Sequence, residues 1–526
     1  MRVLVWHGWL LEGSGSNVYT ARVTDVLRRW GHDVLLVCQE PHGDRYGFLD
    51  TGGTVGPAGV SPLVTFSRPH RDGRAILLRP DIGTLLPVFV IDEYEGFEVK
   101  RFPDLTDQEL IDYLERNVAA LRAAASWFDP DVAIAGHAVP GAVIAARALG
   151  PRSYAAKIHG SDLEYAIRLQ PRYRALAREG LDGATAILGG TADVLARTVQ
   201  LVPSAEGKTK VVPPGVEVEA FRPMPRRAAL EEVAARLRTD PDTFRGRPPE
   251  LDVLVHHAVE SRDARALDDL AHRYDQSVPD PDAADRLLSL AAHEGPLVGY
   301  LGKLIPQKGV ELFLAALPVI HHPEARALVV GFGLFREWLT AFTQCLDRAD
   351  EAGLSWLIQS SELTADLSLG LSRRASGLAS RVRFTGRLDH RYAPGALAAL
   401  DVLVVPSVLD EAFGMVAAEA AAAGALPLVA RHSGLAEVGA ALEEAVDRPG
   451  LFTFEPGPGA VTRIAAGLDR LLGLPQGERE ELRHGVSRFV AREWTWERTA
   501  ERLLASAGVP PSDRIPLPDG SAQDLR

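Results

Sequence analysis

Cysteine is nearly absent from this 526-residue chain. Cys38 and Cys345 are the only two, far apart and with no partners at metal-ligand spacing. That excludes a disulfide scaffold and a zinc cluster, and it fits a reducing compartment, so a cytoplasmic location is expected. No apolar run reaches membrane-spanning length. The apolar start, residues 1–11, is followed at once by Glu12 and Gly13 without a small-residue cleavage pattern. It therefore reads as a first buried strand, Arg2–Trp6, rather than a leader. Basic excess is absent too: 57 Lys+Arg stand against 70 Asp+Glu, a formal charge of -13. A chain this acidic repels polyphosphate backbones, so nucleic acid is excluded as a partner, and any bound anion must be gripped locally by N–H groups and a few lysines.

What is present is ordinary globular material, 46% hydrophobic and 24% charged, in a chain too long for one compact core. Two stretches alternate short β-rich runs with helical runs, the pattern of parallel sheets with crossover helices. The first predicts strands at 2–6, 33–37, 131–135, 154–159, 184–188 and 210–212, with a helix from about 17 to 30. Residues 43–102, rich in Gly and Pro, read as a hairpin-rich excursion near the sheet edge. The second predicts strands at 297–301, 327–330, 382–385, 402–405, 427–430 and 451–454. Expected domains are 1–222, a helical and linker insertion at 223–295, a second domain at 296–488, a C-terminal helix at 489–508 crossing back to the first domain, and a disordered tail at 509–526. A second helical insertion is expected from 344 to about 380. Alanines 420–423 are helix formers with no further meaning.

The most informative segment is PSVLDEAFGMVAAEAAAAGALPLVARHSGLAEV, residues 406–438. A strand ends in a polar loop with Asp410 and Glu411. Gly414 then permits close backbone approach, and a helix begins at Met415. Strand ends and helix starts of this kind bind ligands in open α/β sheets. N–H groups around Phe413, Gly414 and Met415 would face a sugar or phosphate. Glu411 in the loop and Glu419 one turn into the helix reach different parts of an extended polyol. Two glutamates at this spacing, taken alone, also fit a loop charge and an exposed helix residue. Residues 298–309, VGYLGKLIPQKG, add Lys303 and Lys308 at the end of another strand of that sheet, where mobile point charges can meet a diphosphate; alone, they also fit solvated surface lysines.

In this order along the chain, these motifs resemble the family-4 glycosyltransferases. Glu411 to Glu419 is similar to that family's E-x7-E element, and the likeness extends through 299–309, 329–333, 384–388, 211–223, the N-terminal Gly-rich loop and His159–Asp162 (HGSD). The resemblance implies an α/β chain of two facing Rossmann-like domains, the GT-B fold, with helical insertions. It also implies a retaining transfer of sugar from a nucleotide-diphosphate sugar to a hydroxyl acceptor (sugar, polyol, lipid or small molecule), without a cofactor or metal. Glu419 would bind the ribose, Glu411 the transferred sugar, and Lys308 the diphosphate. Lys303 stands where the family usually has arginine, so phosphate contact would be shared with Arg387. His159 would reach the sugar from the first domain, and Gly13, Ser14, Gly15 and Ser16 would line the acceptor side. The catalytic group would thus be Glu411, His159, Lys303 and Lys308. A sugar phosphorylase, a nucleotide-sugar epimerase and a non-catalytic nucleotide-sugar-binding protein are the competing readings. Taken alone, His159 also fits a core histidine, and Gly331–Phe332–Gly333 and Asp129–Pro130–Asp131 fit turns better than a cofactor fingerprint or a metal site.

Overall fold

The computed structural model describes residues 1–66, 73–90, 94, 96–150, 152–361 and 375–509; of the tail expected at 509–526, residues 510–526 lie outside them, as does 362–374 of the expected second insertion. The chain forms two compact units, Met1–Gly215 together with the stretch from Trp496 onward, and Val216–Thr495.

In the first unit the strands are β1 (Arg2–Trp6), β2 (Asp33–Val37), β3 (Thr51–Gly56), β4 (Gly59–Val60), β5 (Val64–Thr65), β6 (Ala75–Pro80), β7 (Leu85–Val88), β8 (Glu98–Arg101), β9 (Val132–Gly136), β10 (Tyr154–Lys157), β11 (Ala186–Gly189) and β12 (Thr209–Val211). The main sheet runs β12-β11-β10-β9-β1-β2-β6-β3-β4, with β5 also on β3. It is parallel except where β4 and β5 fold back on β3. The sheet's centre is legible from VLVW and VLLV, because strands covered on both faces carry continuous apolar runs. The 43–102 excursion contributes parallel pairings as well as hairpins: β6 pairs with β2, β3 with β6, and β7 with β8 in a small separate sheet. Strand β10 stops at Lys157, short of the 159 read from sequence, because Gly160 (φ 92°) turns the chain. The helix Gly15–Arg29 starts two residues before its expected position, capped by Ser14, whose Oγ accepts the Asn17 N–H. Asp129 ends the helix Asp107–Phe128 in a left-handed conformation (φ 50°), and Asp129 and Asp131 both bind Arg2. The helix Trp496–Ser506 packs on Gly15–Arg29, with Trp496 edge-on to Tyr19 and Glu497 on Arg29.

In the second unit the strands are β13 (Leu297–Lys303), β14 (Arg326–Phe332), β15 (Val382–Phe384), β16 (Val402–Val405), β17 (Leu426–Ala430) and β18 (Thr453–Phe454). They form one parallel sheet in the order β15-β14-β13-β16-β17-β18. The segment 223–295 forms the helices Arg226–Leu237, Leu251–Ser261, Ala264–Ala271 and Ala283–Ala291. Their Ala229, Leu230, Val233, Leu287 and Leu290 are buried in the same core as β13 and β16. Arg226 ties this segment to the sheet through Asp401, whose carboxylate also accepts the Leu297 N–H. Beyond β14, Gly333 (φ 139°) turns the chain into the helix Arg336–Asp347, followed by Glu351–Gln359. Among the described residues, no helix is long and apolar enough to cross a membrane.

Candidate active site

In the second sheet β13 lies between β14 and β16. The chain leaves β13 toward one edge and later returns to the other side, so the loops after β13 and β16 diverge. A crevice at that point is where open α/β sheets hold ligands. Here the two loops are fastened together. Gly309 (φ 65°) packs so tightly that a Cβ would lie 2.3 Å from the Pro406 carbonyl oxygen. Val408 and Leu409 N–H both donate to the Gln307 carbonyl, at 3.0 and 3.2 Å.

On that frame the Lys308 ammonium pairs with the Glu411 carboxylate. Glu411 is fixed further by its N–H, which donates to Ser433 Oγ at 2.9 Å, and by its carbonyl, which accepts the Gly434 N–H at 3.0 Å. Burial pushes the Glu411 carboxyl up, but the Lys308 charge and hydrogen bond, with help from Ser407 and His432, outweigh it and hold the group below the usual carboxylate range. Glu411 is therefore an anion, and a hydrogen-bond acceptor, at neutral pH.

Gly414 (φ 97°) opens the helix Met415–Ala422. The backbone N–H groups of Phe413, Gly414 and Met415 have no acceptor among the described residues. The Phe413 ring is buried against Trp494, with centroids 5.2 Å apart. Glu419 is mostly buried, and its Oε1 lies 3.5 Å from His390 Nε2. Lys303 and Arg387 flank one aromatic ring, that of Phe332, at 5.5 and 5.0 Å from its centroid. The structure thus gathers three groups at the carboxyl ends of one sheet: Lys308 with Glu411, Glu419 with His390, and Lys303 with Arg387.

Sequence reasoning passed over two residues in this unit. His390 follows the edge strand β15, and its pairing with Glu419 emerges only once strand order is known. Glu311, right after the K-G-V that ends the Lys308 loop, is fully buried with both carboxyl oxygens unpartnered. Burial pushes its carboxyl up to about 8, so it is protonated at neutral pH.

The first sheet has the same topology around β1, which lies between β9 and β2. Three histidines collect at these strand ends: His7 after β1, His137 after β9 and His159 after β10. Ring centroids are 4.5 Å apart for His137–His159 and 6.2 Å for His7–His137. His7 and His137 and the buried Lys157 were also missed from sequence. Asp162 of the HGSD run binds the loops together, accepting from Ala138 N–H (2.6 Å) and Gly160 N–H (3.1 Å). Burial lowers the His7 imidazole to about 4 and drives His137 and His159 well below their ordinary value, so this cluster is neutral. Gly13 (φ 91°) makes the turn before Ser14, whose hydroxyl lies 3.1 Å from Ser16 Oγ, while Gly15 and Ser16 form the first turn of the helix.

Lys157 gives a pH prediction. Its ammonium donates to the Val212 carbonyl at 2.9 Å and sits 4.9 Å from the Tyr19 ring centroid, and burial lowers it to about 7. Its folded value lies below its unfolded value of about 10.4, so the unfolded chain binds the extra proton between them, and stability from this group rises with pH from about 7 to 10. Urea unfolding at pH 7, 8 and 9 should show wild type gaining stability relative to Lys157→Met by up to about 1.4 kcal/mol per unit. Parallel pH profiles would contradict this.

Comparisons with known proteins find a glycosyltransferase domain in each unit. The family described as glycosyl transferases group 1 matches residues 286–489, inside the second unit, and the glycosyl transferase 4-like domain matches 14–215, inside the first. An uncharacterized glycosyltransferase of Methanocaldococcus jannaschii is 27% identical over 209 residues, 40% of this chain and 43% of that protein. The chain spans less than half the length of the first curated relatives it matches. Among solved structures, sucrose-phosphate synthase from Thermosynechococcus elongatus has a TM-score of 0.57 at 16% identity, covering 95% of this chain and 97% of that one. Anabaena HepE, in complex with UDP and glucose, has a TM-score of 0.55 at 13% identity, covering 97% and 99%. With one matched domain in each unit and both units Rossmann-like, the chain belongs to the family-4-type glycosyltransferases of GT-B fold.

Proposed function

We propose that this protein transfers a sugar from a nucleotide-diphosphate sugar to a hydroxyl acceptor with retention of anomeric configuration. The observation that carries the reading is the Lys308–Glu411 pair set beside three N–H groups without acceptors at the switch point of the second sheet. A diphosphate leaving group needs cationic and N–H donors where its charge develops, and this loop supplies both. The Glu411 carboxylate accepts hydroxyl hydrogen bonds from the transferred sugar, and Glu419 those from the ribose. Lys303 and Arg387, fixed on Phe332, add charge toward the distal phosphate. Glu411 is committed to Lys308 and does not act as a covalent nucleophile. The departing phosphate instead takes the acceptor's proton as the new glycosidic bond forms on the same face. The buried, unpaired Cys38 and Cys345 are compatible with a reducing compartment such as the cytoplasm.

The test is incubation of the purified chain with UDP-, ADP- and GDP-linked sugars and a panel of hydroxyl acceptors, reading product anomers by NMR. Retained configuration with nucleoside diphosphate release is expected. An inverted product would overturn retention. Donor converted to an isomer without acceptor would identify an epimerase, and phosphate-dependent turnover a phosphorylase.

Two variants separate the glutamates. Glu411→Gln keeps the shape but loses the anion, and turnover should fall about 10–10²-fold while nucleoside diphosphate affinity changes little. Glu419→Ala should instead weaken donor binding about ten-fold with kcat preserved, because a ribose contact is the same in ground and transition states. Equal effects of both on kcat would contradict the assignment.

A further inference from the structure

The helical segment 223–295 reaches the carboxyl end of β15 through a short extended run, Val278–Pro279–Asp280. Pro279 and Gly386 form an antiparallel bridge. Arg387 N–H donates to the Val278 carbonyl at 3.3 Å, and Asp280 N–H to the Thr385 carbonyl at 2.8 Å. The approach is so close that a Cβ on Gly386 (φ 71°) would lie 2.8 Å from Asp280 N and 2.9 Å from Val278 O.

Asp280 itself is buried, 2% exposed, and gripped from its other side. Arg286 Nη1 binds its Oδ2 at 3.1 Å and Arg336 Nη2 at 3.2 Å. Both arginines also touch Phe384: Arg286 donates to its carbonyl at 2.7 Å, and the Arg336 guanidinium lies 3.9 Å from its ring centroid. Val278, Asp280, Arg286 and Arg336 thus each make a contact to residues 384–387. Arg336 is buried, while Arg286 is partly exposed and also pairs with Asp282 at 2.8 Å; a buried carboxylate held in this way contributes little to stability, but it fixes the geometry around it.

What that geometry borders follows from the donor reading, on which this inference rests. His390, three residues beyond Arg387, pairs with Glu419, the ribose ligand. The base attached to that ribose then falls beside residues 386–388. Pairing with Val278–Asp280 and with Gly331 occupies the Thr385 and Gly386 carbonyls and the Arg387 N–H. The Gly386 N–H, Arg387 carbonyl and Leu388 N–H have no partners among the described residues. Two donors and one acceptor in fixed order can read the hydrogen-bonding edge of a base.

We propose that Val278–Asp280 is the base-selecting strap of this enzyme: it holds the Thr385–Leu388 turn so that this donor–acceptor edge faces the donor's base. Asp280 is a positioning residue that acts through the turn. The test is calorimetric titration of UDP, GDP, ADP and inorganic pyrophosphate into wild type, Asp280→Asn and Arg286→Gln. Wild type should prefer one nucleoside diphosphate, and each variant should narrow that preference about ten-fold while pyrophosphate affinity stays within about two-fold. A lowered melting temperature with unchanged preference would overturn the proposal, as would a wild type that binds all three equally. Should Asp280→Asn fail to fold, Arg286→Gln, whose side chain is partly exposed, decides the matter by the same readout. A wild type that binds none of the three nucleotides would sink the donor reading itself, a distinct outcome.

Discussion

Lys308→Ala is expected to lower sugar-transfer turnover by about 10²–10³, with the folded state nearly as stable as wild type. The lysine is part-exposed on a single turn after β13, and its removal opens no cavity in the core. What it leaves is an unpaired Glu411 close to the position assigned to the diphosphate. The loss is therefore twofold: a cation that stabilises the leaving group disappears, and an anion that repels it remains. Without Lys308, the Glu411 carboxyl also loses the main influence that lowers it, so activity of the variant should depend on protonation of Glu411 at a higher pH than in wild type. The double variant Lys308→Ala, Glu411→Gln should then be less impaired than the sum of the two single losses, because the repulsive charge is gone. Steady-state kinetics across the three variants, with melting temperatures alongside, check this; additive losses would contradict the coupling.

The second large effect is on stability. Arg247 and Glu337 are each 1% exposed and form two parallel bonds, at 2.7 and 2.8 Å, inside the second unit. Tyr274 donates to the same carboxylate at 2.8 Å, and Asp252 lies 2.9 Å from Arg247. This cluster joins the 223–295 helices to the helix Arg336–Asp347. Arg247→Ala strands a buried carboxylate with one hydroxyl donor, and should cost about 3–5 kcal/mol in urea unfolding. Replacing the pair together by apolar residues of similar volume should cost much less, because the penalty comes from the orphaned charge rather than from losing the bridge. Equal costs for the single and the paired replacement would refute that reasoning.

The strands that sequence rendered best are those covered on both faces. The runs at β1, β2 and β16 coincide with the observed strands, because burial on two sides demands unbroken apolar residues. Strand β3, TGGTVG, was hidden by its glycines, which read as turn signals. Gly52 is a packing position instead: a Cβ there would lie 2.3 Å from the Phe66 ring. At the site, Glu411 and Lys308 stood out because each ends a strand within a recognisable loop. His390 and the His7–His137 pair did not, since a partner across the sheet is fixed by strand order, and strand order is not written in local sequence; Glu311 did not because its burial shows only in the packed fold. The base strap was hidden for the same reason: Asp280 and Thr385 are more than a hundred residues apart and meet only after folding.

The most direct measurement is a crystal structure of the protein with whichever of UDP, GDP or ADP shifts its melting temperature most. The account predicts diphosphate oxygens within hydrogen-bonding reach of Lys308 Nζ and of the N–H groups at 413–415, with the ribose hydroxyls on Glu419. A nucleotide bound away from the loops after β13 and β16, with Lys308 still paired only to Glu411, would contradict it.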